Sequence, residues 1–250
     1  MDRADACARS LAFFTGRMQA DRGWLADTLR YLPDDFRFSA GSPSRAGFPR
    51  DGVEGTLFLT FGYDIGVAFG PTASLNCAHP HFGEHPRELL YYAIHELHHV
   101  GFMAYQPPPR LSDLKTCGDL LRLVEYSTQM EGMAVLAAYE RRRQEHALAD
   151  DADYVALQDE PGMRLAEAAY FADVAYLKKR ATEPADKAAW AVIDRMSGGA
   201  RLWYRVGARM AQRIEAASGR AALIALIKDG PASFLEAYHR LQVSKGNPSR

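Results

Sequence analysis

The sequence predicts an α+β protein that is mostly helical, in which a small antiparallel sheet precedes a helical body. Two observations carry that expectation. GTLFLTF (55–61), DIGVAFG (64–70) and TASLNCA (72–78) alternate or run apolar between glycine and proline breaks, as short antiparallel strands do. From Pro86 onward the pattern is helical almost to the end, with breaks at Pro107–Pro109, Pro161–Gly162, Pro184, Gly198–Gly199, Gly219 and Gly230–Pro231.

Taken in order, residues 1–32 read as helical, because Leu11, Phe14, Met18, Leu25 and Leu29 recur at roughly helical spacing. The glycines, prolines and serines of 39–52 read as a loop. The three strands follow, and then the helix PRELLYYAIHELHHVGFMAY (86–105). It has Pro86 in its first turn, where the missing N–H is harmless, and it stops before the prolines at 107–109. A further helix contains DLLRLVEYSTQMEGMAVLAAYE (119–140). There is no internal repeat and no linker long enough to separate independent units, so one domain is expected over 1–250.

Thirty basic side chains against thirty-one acidic ones give a formal net charge of −1. No global field therefore draws nucleic acid or an anionic membrane, and neither is expected as a partner. The apolar run from Leu11 to Phe14 is too short for a signal-peptide core, and no later stretch can span a bilayer. Cys7, Cys77 and Cys117 are odd in number and far apart, which speaks against a disulfide framework and for a reducing compartment. The expected location is the cytoplasm.

The chemistry lies in HELHH at 95–99. His95 and His99 are four residues apart on a helix, so both imidazoles leave one face and can converge on one metal ion, zinc (Zn2+) being the usual choice. Glu96, beside the first histidine, can reach a metal-bound water without itself ligating and take its proton. The helix is apolar nearly all round and should be buried, and metal coordination would satisfy two histidines and a glutamate that burial otherwise penalises. His98 points elsewhere and reads as a solvent-facing or hydrogen-bonded bystander.

A metzincin would carry a glycine and a histidine where this chain has Phe102 and Tyr105, so the third ligand must come from elsewhere. Glu131 shares a helical stripe with Leu120, Val124, Ser127, Ala134 and Ala138, a place where a carboxylate has no structural reason to sit. Gly132 and Ala134 would let that helix pack closely across the HELHH helix. Glu125 is the rival ligand, and Asp113 or Asp119 would make the site an aspartate-type one.

His95, Glu96, His99 and the run Glu131-Gly132-Met133-Ala134 resemble the gluzincin metallopeptidases, above all the bacterial zinc-dependent peptidase families of unknown function. In that group HExxH is followed on a later helix by an EGxA-like element. The stretch from WYRVGARMAQRI to FLEAY is similar to the closing helices of the group. The chain departs from thermolysin-like enzymes in its longer step from His99 to Glu131 and in Val135, which replaces an acid. The resemblance implies a zincin-like fold, a zinc ion and a peptide or protein substrate. It further implies that TASLNCA is an edge strand that pairs with substrate backbone. By the same analogy Tyr204 would steady the oxyanion, with Tyr170, Tyr176 and His239 as alternatives.

Between TASLNCA and the helix, Cys77, His79, His81 and His85 have metal-like spacings, but a polar loop rimming the cleft explains the same residues and is the preferred reading. Other functions stay open: hydrolysis of a non-peptide amide or ester, a non-catalytic zinc protein, or a di-iron carboxylate protein using Glu96/His99 and Glu236/His239.

Overall fold

The computed structural model describes residues 55–60, 64–77 and 79–246. The helical reading of 1–32, the loop at 39–52 and Cys7 lie outside the described residues.

Three strands come first among the described residues: β1 (Thr56–Thr60), β2 (Gly66–Phe69) and β3 (Thr72–Asn76). The α-helices that follow are α1 (Pro80–Glu84), α2 (Glu88–Met103), α3 (Cys117–Gln144), α4 (Ala152–Gln158), α5 (Glu160–Lys179), α6 (Lys187–Ser197), α7 (Leu202–Ser218), α8 (Arg220–Asp229) and α9 (Pro231–Gly246). The chain is mostly helical with a small sheet ahead of the helices, as expected. No helix among the described residues is long and apolar enough to cross a membrane.

The sheet differs from the expected antiparallel one in its first pair. Its order is β1-β3-β2, with β2 and β3 an antiparallel hairpin and β1 parallel to β3 in the register Phe58 to Ser74. The chain leaves β1, skips one strand position to form β2, and returns through the tight turn at Gly70 to place β3 in the gap. β3, the core of TASLNCA, is therefore the central strand and not an edge; among the described residues β1 and β2 are the edges. Ala73 and Leu75 of β3 are fully buried, as a central strand's inward residues should be.

α2 runs beneath this sheet. At about 100° per residue, Leu89, Ala93, Leu97 and Val100 fall on one stripe, and they pack with Ala73, Leu75 and Phe82. The neighbouring stripe, Leu90 and Ile94, packs on Val135 and Ala138 of α3. His95, His99 and Glu96 occupy the remaining arc between α3 and the sheet's β2 edge.

α3 starts with a capping box: Thr116 accepts a hydrogen bond from Asp119 N, and the Asp119 carboxylate accepts one from Thr116 N. Its buried face, Leu120 and Val124, builds the main core with Val206, Met210 and Ile214 of α7 and with Ile227 and Phe234 behind them. Gly132 and Gly207 set the α3–α7 crossing. A Cβ on Gly132 would sit 2.2 Å from Gly207 C, and one on Gly207 would sit 2.2 Å from Thr128 O. Gly132 thus makes room for α7, not for the HELHH helix as the sequence suggested. Both obstacles are backbone and cannot swing aside, so Gly207→Ala is expected to cost about 1–3 kcal/mol or more. Gly199→Ala, with nothing within 4 Å, is the matched control and should stay within about 0.5 kcal/mol. Urea midpoints compared at constant slope check this; equal midpoints for the two variants would contradict so close a crossing.

Candidate metal centre

His95 and His99 leave α2 one turn apart, their rings 4.5 Å between centroids and nearly perpendicular. Glu131, midway along α3, projects between them: its Oε2 is 3.2 Å from His95 Nε2 and 3.0 Å from His99 Nε2. All three donor atoms lie within 4.8 Å of one another. A tetrahedral ion with bonds of roughly 2.0–2.1 Å has ligand-to-ligand edges of about 3.3 Å, close to the two separations seen. His99 and Glu131 are buried, and His95 is largely covered. Two imidazole nitrogens and one carboxylate oxygen form a donor set suited to a divalent zinc ion with one position left open, so the residues present fit such a group.

The electrostatics of the cluster are coupled. Burial pushes the Glu131 carboxyl up, but the His99 and His95 imidazoles more than offset it and hold it well below the usual carboxylate range. Burial pulls the His99 imidazole down, yet the Glu131 carboxylate beside it raises it on balance.

Glu96 is buried at the side of the cluster nearest the sheet. Burial, reinforced by the Glu131 charge, raises its carboxyl, against the pull of the two histidines. Its carboxylate reaches the backbone of β2, where a Cβ on Gly66 would stand 2.7 Å from Glu96 Oε1. Glycine at this strand position lets the edge strand approach the acid. A lone glycine inside a strand pattern is a signal of close approach, and it could have marked Gly66 in advance.

Two cavities meet at this point. One, of about 380 Å³, runs from β2 past His99 and Glu131 to Met103, Met130 and Pro108. The other, of about 350 Å³, runs from Gly66 past His95 and Glu96 to Tyr92, Asp151 and Arg201. Tyr204 of α7 lines both. Burial and the nearby Glu131 charge push its phenol up, so it stays a hydrogen-bond donor at neutral pH. The alternatives to Tyr204 sit elsewhere: Tyr170 bonds Thr128 in the helical core, Tyr176 serves Arg180, and His239 is exposed beside Phe171.

The rival acids are also accounted for. Glu125 is half-buried, and its electrostatic neighbours are Lys178, Arg122 and the Tyr170 hydroxyl, not the histidines. Asp119 is engaged in the cap of α3, accepting from Thr116 N at 2.8 Å and Lys115 N at 3.1 Å. Asp113 is exposed in a 3-10 turn. His98 is buried and not solvent-facing; burial, with His99 and His95 alongside, holds it neutral. Glu236 and His239 lie exposed on α9, outside any cluster of possible metal-binding groups among the described residues, so no di-iron arrangement forms there.

The loop histidines do not assemble with Cys77, which is buried with its thiol pushed up to about 11. His79 caps α1, and His85 stands 3.9 Å from Asp150. His81, Glu88 and Asp151 come within metal-binding reach of one another, but a cation is already there. The Arg142 guanidinium lies between the Tyr91 and Tyr154 rings, 4.4 and 4.2 Å from their centroids, and grips both oxygens of Glu88. That buried network is an ion-pair brace tying the start of α2 to the end of α3.

A protein-family model described as "Putative zinc dependent peptidase (DUF5700)" matches residues 25–245. The chain belongs to this family. No curated protein and no solved structure matches it. The matched region contains every residue of the cluster, and the family's description agrees with the donor set that the fold brings together.

Proposed function

We propose that the protein is a zinc-dependent peptidase in which His95, His99 and Glu131 hold the metal, Glu96 is the general base and Tyr204 the oxyanion donor. The observation that carries this reading is the convergence of two Nε2 atoms and one Glu131 oxygen beside a buried Glu96 that is not one of the clustered donors. When bound, zinc supplies Lewis acidity, activating water and polarising the scissile carbonyl. Glu96 takes a proton from the attacking water on a carboxylate oxygen and returns it to the leaving nitrogen. Tyr204 donates its phenolic hydrogen to the oxygen on which charge develops.

β2 supports a peptide over a non-peptide amide as substrate. It is an edge strand, and its side opposite β3 has no ladder partner among the described residues. An extended peptide can pair along that side, which also borders both cavities. The edge expected at TASLNCA is thus offered by the neighbouring strand.

The purified protein should carry about one zinc per chain. His95→Ala and His99→Ala should lose it, and chelation should abolish peptide cleavage until zinc is restored. Because ligating imidazoles must be neutral, zinc affinity should fall between neutral pH and roughly pH 5, the range of histidine titration. Full zinc occupancy in both alanine variants would sink the assignment.

A further inference from the structure

Arg201 has one of two positive φ angles found at non-glycine residues among those described, with φ 48° and ψ 44° at the N-cap of α7. Such a conformation is uncommon for a side-chain-bearing residue and persists where surrounding contacts hold it. Here they are visible. Arg201 Nε donates to Asp153 Oδ2 at 2.7 Å, and its guanidinium carbon lies 3.7 Å from the centroid of the Tyr204 ring. The other oxygen of Asp153 is taken by Arg205 Nε at 2.8 Å. One buried carboxylate therefore holds two arginines, and each is gripped by Nε alone.

The consequence is a positioned but uncommitted guanidinium fork. No acceptor among the described residues takes the terminal nitrogens of Arg201, whose side chain is 39% exposed in the cavity shared with His95 and Glu96. Of the cavity's aspartates, Asp64, exposed just ahead of β2, accepts from Ile65 N on one oxygen, and the two on the Arg201 side are engaged. Asp153 is saturated by its two arginines, while Asp151 caps α4 through Asp153 N at 2.8 Å and faces the Tyr92 hydroxyl at 3.4 Å. Glu88, behind them, is gripped by Arg142. On the Arg201 side of this cavity the open valence is thus a planar pair of N–H donors, which matches a carboxylate. The second cavity differs in character, with Met103, Met130, Val67 and Phe69 on its walls.

We propose that Arg201 reads a carboxylate on the substrate, on the Glu96–His95 side of the scissile bond, while the methionine-lined cavity takes an apolar side chain on the other. The carboxylate is either the free C-terminus of a peptide or an Asp or Glu side chain. The inference rests on the peptidase reading for its peptide scaffold. Tyr204 links the two roles, since its ring supports the Arg201 guanidinium while its hydroxyl serves the reacting carbonyl.

Calorimetric binding to the zinc-loaded Glu96→Gln chain tests this without turnover. One arm compares an N-acetylated tetrapeptide bearing leucine as free acid and as amide. The other compares amidated peptides with Glu or Gln beside the leucine. One arm should show about ten- to a hundredfold tighter binding of the charged member, as expected for a bidentate charge-assisted pair, and that arm names the source. Adding Arg201→Ala, or Arg201→Gly, which suits the positive φ, should reduce the preference below about threefold; Asp153 keeps Arg205 in both. Equal binding in both arms, no binding of any peptide, or a preference that survives both substitutions would overturn the proposal. A wild-type chain that keeps the preference but cleaves none of these peptides would instead reject the peptidase reading and leave the carboxylate site standing.

Discussion

Glu96→Gln is expected to keep zinc and fold while losing roughly 10²–10⁴-fold in kcat on any peptide that the wild-type chain cleaves. The amide has the size of the carboxylate and fits the same space against Gly66, so packing is preserved. What disappears is the basicity needed of the proposed proton acceptor, since an amide oxygen is far less basic than a carboxylate. As the proposed base, Glu96 would act in the transition state and not in holding substrate, so the loss should fall on kcat and kcat/KM together, with KM little changed. Removing a buried carboxylate whose charged form burial disfavours should also leave stability intact or slightly raised. Steady-state kinetics with zinc content measured on the same sample checks both halves. Cleavage at the wild-type rate with zinc bound would rule out Glu96 as the base.

The features of the site legible in the sequence were those set by a single helix's periodicity. His95 and His99 share a face because four residues make about one turn, and Glu131 stood out because its stripe-mates Leu120, Val124, Ser127, Ala134 and Ala138 read as core; all are buried. What periodicity cannot reveal is which element a face meets. Gly132 announced close packing, but its partner Gly207 lies on a helix far along the chain. The sheet misled for a related reason. Turn residues at Gly70–Pro71 mark the β2–β3 hairpin, whereas the parallel β1–β3 pairing depends on the chain skipping a strand position, which no local signal records. The edge was therefore placed one strand too late. Arg201 was invisible for a third reason: a non-glycine residue in the left-handed region carries no sequence mark, and its value comes from Asp153 on a different helix.

Glu131→Gln is expected to weaken zinc binding by more than the ten- to hundredfold typical of changes behind the ligands, and to abolish cleavage. As the proposed third ligand the carboxylate would contribute charge as well as a donor atom: with it, two neutral imidazoles and one anion would face a divalent ion, and without it the charge would be uncompensated. The amide oxygen remains a weak donor, so some affinity should survive. Glu125→Gln is the control. It lies on the same helix, but six residues earlier and about a third of a turn away, on the side of Lys178 and Tyr170, so zinc binding and cleavage should change less than about threefold. Competitive titration against a chromogenic chelator separates the two, and the reverse ranking would hand the third ligand to Glu125. If neither substitution moves zinc affinity, the gluzincin arrangement fails. Asp113→Asn then becomes the more informative variant than Asp119→Asn, since Asp113 is exposed and uncommitted to a helix cap, whereas losing Asp119 would also unravel the start of α3.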